Sequence, residues 1–155
     1  MAGAYYNCTN LTAAACGERV KDMAGAYYNC RNLKTAVCGN NVISMSHEIA
    51  RNFNYDIKAN YGAYAYCTNL SVPVCGPKVE YFDAVYYGCT NLVGPAVCGP
   101  NVKYMTRTYF NCTNLTGSPV CSENVIYMEE AYYNCYQLTG SPVCGDDVIT
   151  FSHTY

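Results

Sequence analysis

Apolar and polar positions return together along this chain every 22 or 23 residues. The phrase Met-Ala-Gly-Ala-Tyr-Tyr-Asn-Cys fills residues 1–8 and recurs unchanged at 23–30. Variants of it follow as Tyr-Tyr-Gly-Cys-Thr-Asn-Leu at 86–92, Tyr-Phe-Asn-Cys-Thr-Asn-Leu at 109–115 and Tyr-Tyr-Asn-Cys-Tyr-Gln-Leu at 132–138. The cysteine of the phrase falls at 8, 30, 67, 89, 112 and 135, in steps of 22, 37, 22, 23 and 23. A second cysteine follows by 8 residues (Cys16, Cys38, Cys75) or by 9 (Cys98, Cys121, Cys144). Leu keeps phase at 11, 33, 70, 92, 115 and 138, and Val at 20, 42, 79, 102, 125 and 148. Three residues after that Val comes Met23, Met45, Phe82, Met105, Met128 or Phe151. An aromatic ladder runs through Tyr5, Tyr27, Tyr64, Tyr86, Tyr109, Tyr132 and Tyr155.

A repeat of this length is too short for two-helix units, which need more than about 30 residues. Asn, Gly and Pro punctuate every unit and favour turns over helix. Between them the apolar residues come close to alternating, as in Pro142-Val143-Cys144. The pattern therefore predicts a mainly β fold, a short parallel β-solenoid of six to seven rungs with little helix. Like residues of neighbouring rungs would lie ~4.8 Å apart, the strand spacing of a sheet. One rung cannot bury its apolar face alone, so stability accumulates rung by rung. Leu, Val, Met or Phe, the first Tyr and both Cys columns form the expected core. The next aromatic column (Tyr6, Tyr28, Tyr87, Phe110, Tyr133) is expected to face outward or lie half-buried. Asn recurs before the first cysteine (Asn7, Asn29, Asn111, Asn134) and two residues after it (Asn10, Asn32, Asn69, Asn91, Asn114), where it suits turns.

Residues 1–155 read as a single repeat solenoid, with an insertion at 44–60 between the second and third full repeats. That stretch gathers His47, Glu48, Arg51, Asp56 and Lys58, and Ser46 suits the cap of a short helix through Phe53. Insertions in repeat stacks map to one face, which makes His47, Glu48 and Arg51 candidate binding residues beside the outer aromatic column. The chain starts and stops at nearly the same phase, with Met1 and Phe151 in one column and Tyr5 and Tyr155 in another. No polar cap is evident at either place. The expectation is either a piece of a longer array or subunits meeting head to tail through Met1, Tyr5, Phe151 and Tyr155.

Composition narrows the function. Net charge is −2, which excludes a basic nucleic-acid footprint, and charged residues make up only 13% of the chain. No apolar run approaches the ~20 residues of a membrane span, so no membrane insertion is expected. Eighteen Tyr take the place of much of the missing charge. Such rings, set among amides, suit contact with protein or sugar.

The phrase Ala-Tyr-Tyr-Asn-Cys-Thr-Asn-Leu, a short apolar segment and then Gly-x-Asn-Val-x-x-Met resembles the BspA-like leucine-rich repeat. Six units keep Cys, Leu and Val in phase, and the likeness covers nearly the whole chain outside about 44–60. Two departures stand out: Tyr replaces the usual Phe, and the second Cys stands where that family more often has Ile or Val. The resemblance implies a solenoid of leucine-rich-repeat type, at a microbial surface, secreted or virion-associated, that binds rather than catalyses. Its implied partner is a surface protein or glycan, without cofactor.

The twelve cysteines admit three uses: reduced thiols packed as small apolar groups, disulfides, or metal ligands. Spacings of 8–9 are not those of a zinc knuckle, so no metal site is expected. His47 and His153 are the two histidines, and no phosphate loop, dinucleotide fingerprint or metalloprotease motif occurs. No catalytic residue is assigned. Sequons at Asn7, Asn10, Asn69, Asn111 and Asn114 lie inside the repeat phrase and are explained by it. Two functions follow: an extracellular recognition scaffold, or a structural subunit stacked end to end in a filament.

Overall fold

The structure is a computed structural model and describes residues 1–46 and 62–150. The backbone is a pile of six rungs: residues 1–22, 23–44, 45–81, 82–104, 105–127 and 128–150. Each rung opens at the Met/Phe column and runs through a limb of consecutive turns to the first cysteine. In that limb the peptide hydrogen bonds alternate between two destinations. In the second rung the N–H groups of Ala26, Tyr28 and Cys30 donate to Met23, Gly25 and Tyr27, three residues back, at 2.8, 3.2 and 3.1 Å. The intervening N–H groups of Tyr27 and Asn29 donate to Ala63 and Ala65 of the third rung, both at 2.8 Å. The fifth rung repeats the weave: Tyr109 and Asn111 reach Ala131 and Tyr133 at 2.8 and 2.9 Å, while Cys112 returns to Tyr109 at 3.0 Å.

This course places two left-handed residues, four apart, in five of the six rungs; in the third rung Tyr66 is the left-handed residue before the cysteine. The pairs are Gly3 and Asn7, Gly25 and Asn29, Ala84 and Gly88, Arg107 and Asn111, and Glu130 and Asn134, with φ between 50° and 70°. Asn tolerates that region better than most side chains because its short amide bonds locally. The recurring Asn before the first cysteine is therefore a backbone requirement.

The same weave overturns the expected mainly β architecture. Among the described residues there is no helix and no strand longer than an isolated bridge, and most of the chain is turn and irregular backbone. A parallel β-solenoid of leucine-rich type would carry runs of extended residues paired along the stack. Here parallel bridges occur singly. One column passes through every rung, Asp22–Ser44–Tyr81–Tyr104–Tyr127–Thr150, and shorter ones join Ala13–Thr35, Gly117–Leu138 and Val120–Val143. Left-handed residues and bonds back into the same rung break up the extended backbone, so alternation in the sequence reports inside and outside without reporting strand.

The core is nearly the expected set. Leu33, Leu70, Leu92 and Leu115, Val42, Val79, Val102 and Val125, and the Met/Phe column from Met23 to Met128 are fully buried. Tyr5, Tyr27, Tyr64, Tyr86, Tyr109 and Tyr132 stack face to face through the interior at 5.2–5.8 Å. The hydroxyls of Tyr27, Tyr64, Tyr86 and Tyr109 cross to the opposite wall of the preceding rung. Tyr86 Oη donates to Val74 O at 2.6 Å and accepts from Val74 N–H at 2.7 Å. Tyr64 does the same with Val37, Tyr109 with Val97 and Tyr27 with Ala15. One phenol thus satisfies both polar groups of one wall residue, which a Phe at the same place would leave without that partner. The first cysteine column is buried from Cys30 to Cys135, and each thiol donates to the carbonyl of the core Tyr one rung back, as Cys89 to Tyr64 O at 3.0 Å.

The interruption is spliced into a single turn. Ala63 N–H donates to Met45 O at 2.7 Å, the equivalent of Ala26 to Met23 one rung earlier. Ser44 belongs to the bridge column, Met45 to the core, and Ser46 is buried and bonded to Asp83. Residues 44–46 of the expected 44–60 insertion thus belong to the stack, and the rest of it, with the helix expected through Phe53, lies outside the described residues. At the far end Gly62 is buried, and a Cβ on it would fall 2.0 Å from Ala84 O.

Replacing Tyr86 by Phe keeps the ring stack but strands the Val74 N–H and C=O. We expect a loss of about 2–4 kcal/mol in urea unfolding, against near neutrality for Tyr87→Phe, whose column already holds Phe110.

Candidate functional site

The outer aromatic column is continuous from end to end of the described stack. Tyr6 and Tyr28 lie parallel at 4.7 Å, Tyr87 and Phe110 at 4.7 Å, and Phe110 and Tyr133 at 4.9 Å. The third rung has Ala65 at the column position, and there the gap is closed by Tyr66. Its ring meets Tyr28 edge-on at 5.4 Å and Tyr87 at a tilt, also at 5.4 Å. Tyr66 occupies the left-handed position that Asn fills elsewhere, with φ 62°. Its ring lies over Gly88, where a Cβ would come within 3.1 Å of it. By repeat phase Tyr66 falls in the Asn column and not in the outer aromatic one, so phase alone does not find it; the Gly at 88 one rung on is the available signal.

Amide ladders flank these rings. Asn29 Nδ2 donates to Asn7 Oδ1 at 2.8 Å and Asn134 to Asn111 at 2.7 Å. Two residues past the cysteine, Asn69 donates to Asn32, Asn91 to Asn69 and Gln137 to Asn114 at 3.3–3.4 Å. These amides run along the stack, from rung to rung, whereas the sequence suggested bonds to turn backbone. Backbone bonds of that kind come from a third set: Asn41, Asn101 and Asn124 donate to Glu18, Pro77 and Pro100 carbonyls. Arg107 pairs with Glu130 one rung on, beside the outer column, and Arg31 Nε donates to Asn29 Oδ1. Burial, with Tyr66 next in weight, holds the Tyr87 phenol above its ordinary value.

A second outer stack was not singled out from the sequence. Tyr81, Tyr104 and Tyr127 are half-buried bridge residues with rings 5.2 and 5.7 Å apart. Their place is held by Asp22 and Ser44 in the first rungs, which hid the column, although three tyrosines at a spacing of 23 mark it.

The remaining candidates divide. Met1 is half-buried and Tyr5 exposed, stacked on Tyr27. Phe151, Tyr155, His47, Glu48 and Arg51 lie outside the described residues. Among the described residues no group of three or more His, Cys, Asp or Glu side chains is placed to hold a metal ion. No helix there is long and apolar enough to cross a membrane. Comparison with family models, with curated proteins and with solved structures gives no match.

All twelve cysteines are free thiols. The second cysteine column is only half-buried, where full burial was expected. In the first two rungs its thiols meet the Met of the next rung, Cys16 with Met23 and Cys38 with Met45 at 3.7 and 3.6 Å. In the last two they meet the Met of their own rung, Cys121 with Met105 and Cys144 with Met128 at 4.0 and 3.5 Å. The change accompanies the extra residue before the second cysteine from the fourth rung on. Burial pushes Cys38 and Cys98 up to about 11, and Cys67 and Cys135 up to about 12, from an ordinary 9.0.

Two outcomes follow. Above pH 9 the unfolded chain releases thiol protons that the folded chain keeps, so stability is complete below pH 9 and falls as pH climbs through 9 to 12. Unfolding followed by circular dichroism across that range reads it. Gly88→Ala sets a side chain at φ 70° against the Tyr66 ring. It should cost about 1–2 kcal/mol and weaken the near-ultraviolet dichroism of the stacked tyrosines.

Proposed function

We propose that the chain is a non-enzymatic recognition scaffold, secreted or displayed at a cell surface, that holds a protein partner along its outer aromatic column. The observation that carries this reading is the unbroken ladder Tyr6, Tyr28, Tyr66, Tyr87, Phe110 and Tyr133. Rings locked by their neighbours lose little entropy when a partner arrives, and each offers a large contact area. Most of their faces are taken up in stacking. A sugar ring needs an open aromatic face, whereas a peptide can lie along ring edges and bond to the flanking amide ladders. That favours protein over glycan. The resemblance to BspA-like arrays supports a surface setting. The raised pKa values of the thiols from the second rung onward keep them protonated and slow to oxidise, which is compatible with that setting.

The test is selection of displayed peptides on the purified chain, beside a glycan array. Peptides recovered on the wild type should lose at least tenfold in affinity to Tyr87→Ser and Tyr133→Ser. Equal binding by the variants removes the column from recognition. Glycan capture that depends on the same rings assigns a sugar partner, and polymers seen by light scattering assign the column to contacts between copies.

A further inference from the structure

Sulfur is concentrated along one line of the stack. The second cysteine column and the Met/Phe column run side by side, and four contacts join them: Cys16–Met23, Cys38–Met45, Cys121–Met105 and Cys144–Met128, at 3.5–4.0 Å. In the middle Phe82 holds the place of a methionine. It lies seven residues after Cys75 and sixteen before Cys98, the two offsets that elsewhere bring a thioether to the thiol. Phe82 therefore divides the sulfurs into two groups. In the second group the Cys121 and Cys144 thiols also neighbour each other across adjacent rungs, near enough for each to influence the other's ionisation. Met105 with Cys121 and Met128 with Cys144 thus make two thiol–thioether pairs on adjacent rungs, with both thiols half-buried.

We propose that Met105, Cys121, Cys144 and Met128 form a binding site for soft monovalent metal ions, copper(I) by preference, with two ions bound per cluster. Thiolate and thioether are the ligands that select copper(I), and no nitrogen or oxygen donor is needed. Charge makes the same choice. A half-buried thiolate is costly in apolar surroundings, and a +1 ion cancels it; a +2 ion on one thiolate would leave a net charge there. Bonds of about 2.3 Å, the length found for zinc–thiolate, hold two sulfurs about 3.8–4.6 Å apart. The Cys121–Met105 pair at 4.0 Å lies inside that span, and the Cys144–Met128 pair at 3.5 Å would open by a few tenths of an ångström. The step is ligand exchange with no change of oxidation state: each S–H proton leaves to solvent and the sulfur lone pair binds the ion. Sequence reading passed over this site because it sought cysteine and histidine spacings and took methionine only as core.

The experiment is an anaerobic copper(I) titration of the reduced chain against a chromophoric copper(I) chelator, in a Cys8→Ser background that removes the exposed thiol. Compared with that background, Met105→Leu/Met128→Leu should hold two fewer tight ions with unchanged circular dichroism, since Met-to-Leu conserves volume. Each ion displaces one proton, so the apparent affinity of each site should rise about tenfold per pH unit. X-ray absorption should show sulfur neighbours alone. Equal copper retention by the folded double variant overturns the proposal, as does zinc(II) held as tightly as copper(I). If the double variant does not fold, the background chain decides: affinity independent of pH, or nitrogen and oxygen neighbours, also overturns it.

Discussion

Every second peptide N–H in the first limb of a rung is committed to the next rung, and the peptide between is committed to its own. The other features of the fold follow from this division. The bonds within the rung curl the backbone into turns, and the bonds between rungs hold the curled limbs in register. A curl of that kind places left-handed residues at two fixed positions in five of the six rungs, which accounts for Gly, Asn and the rarer Ala84, Arg107 and Glu130 found there. Identical residues then stand directly over one another, and stacked rings, amide ladders and sulfur columns are the consequence.

Much of the interior was legible in the sequence because burial follows the repeat directly. A column that is Leu in six units has no reason to be so except the core, and the Val, Met/Phe and first Tyr columns read the same way. Local backbone was less legible. Alternation of apolar and polar residues is shared by strands and by a chain of tight turns that sends every other residue inward, and the two differ only in φ. The Asn before the first cysteine carried that information. It was read as a turn residue without the step to a left-handed position repeated at each rung, which excludes an extended strand.

The candidate face was half legible. Tyr6, Tyr28, Tyr87, Phe110 and Tyr133 share one phase, so phase alone found them. Tyr66 belongs to the same surface but is one position out of phase, and only three-dimensional packing over Gly88 brings it there. A compensating pair of this kind, large in one rung and small in the next, is invisible to any reading that treats columns separately. The choice of Tyr over Phe in the core has a comparable origin. Its reason lies on the far wall of the neighbouring rung, twelve residues back for Tyr86 and Tyr109, or twenty-seven for Tyr64.

The splice between Ser46 and Gly62 has a further consequence. Its two ends are fastened by the Ala63–Met45 bond, by the burial of Ser46 and by the close seat of Gly62 on Ala84. The stack is thus held on both sides of the interruption, at Met45–Ser46 and at Gly62–Ala63. Lengthening a closed loop raises its entropic cost slowly, so chain can be gained or lost there over evolutionary time while the rungs above and below keep their alignment. The rungs and the inserted sequence are free to diversify at different rates, the rungs alone being bound by their columns.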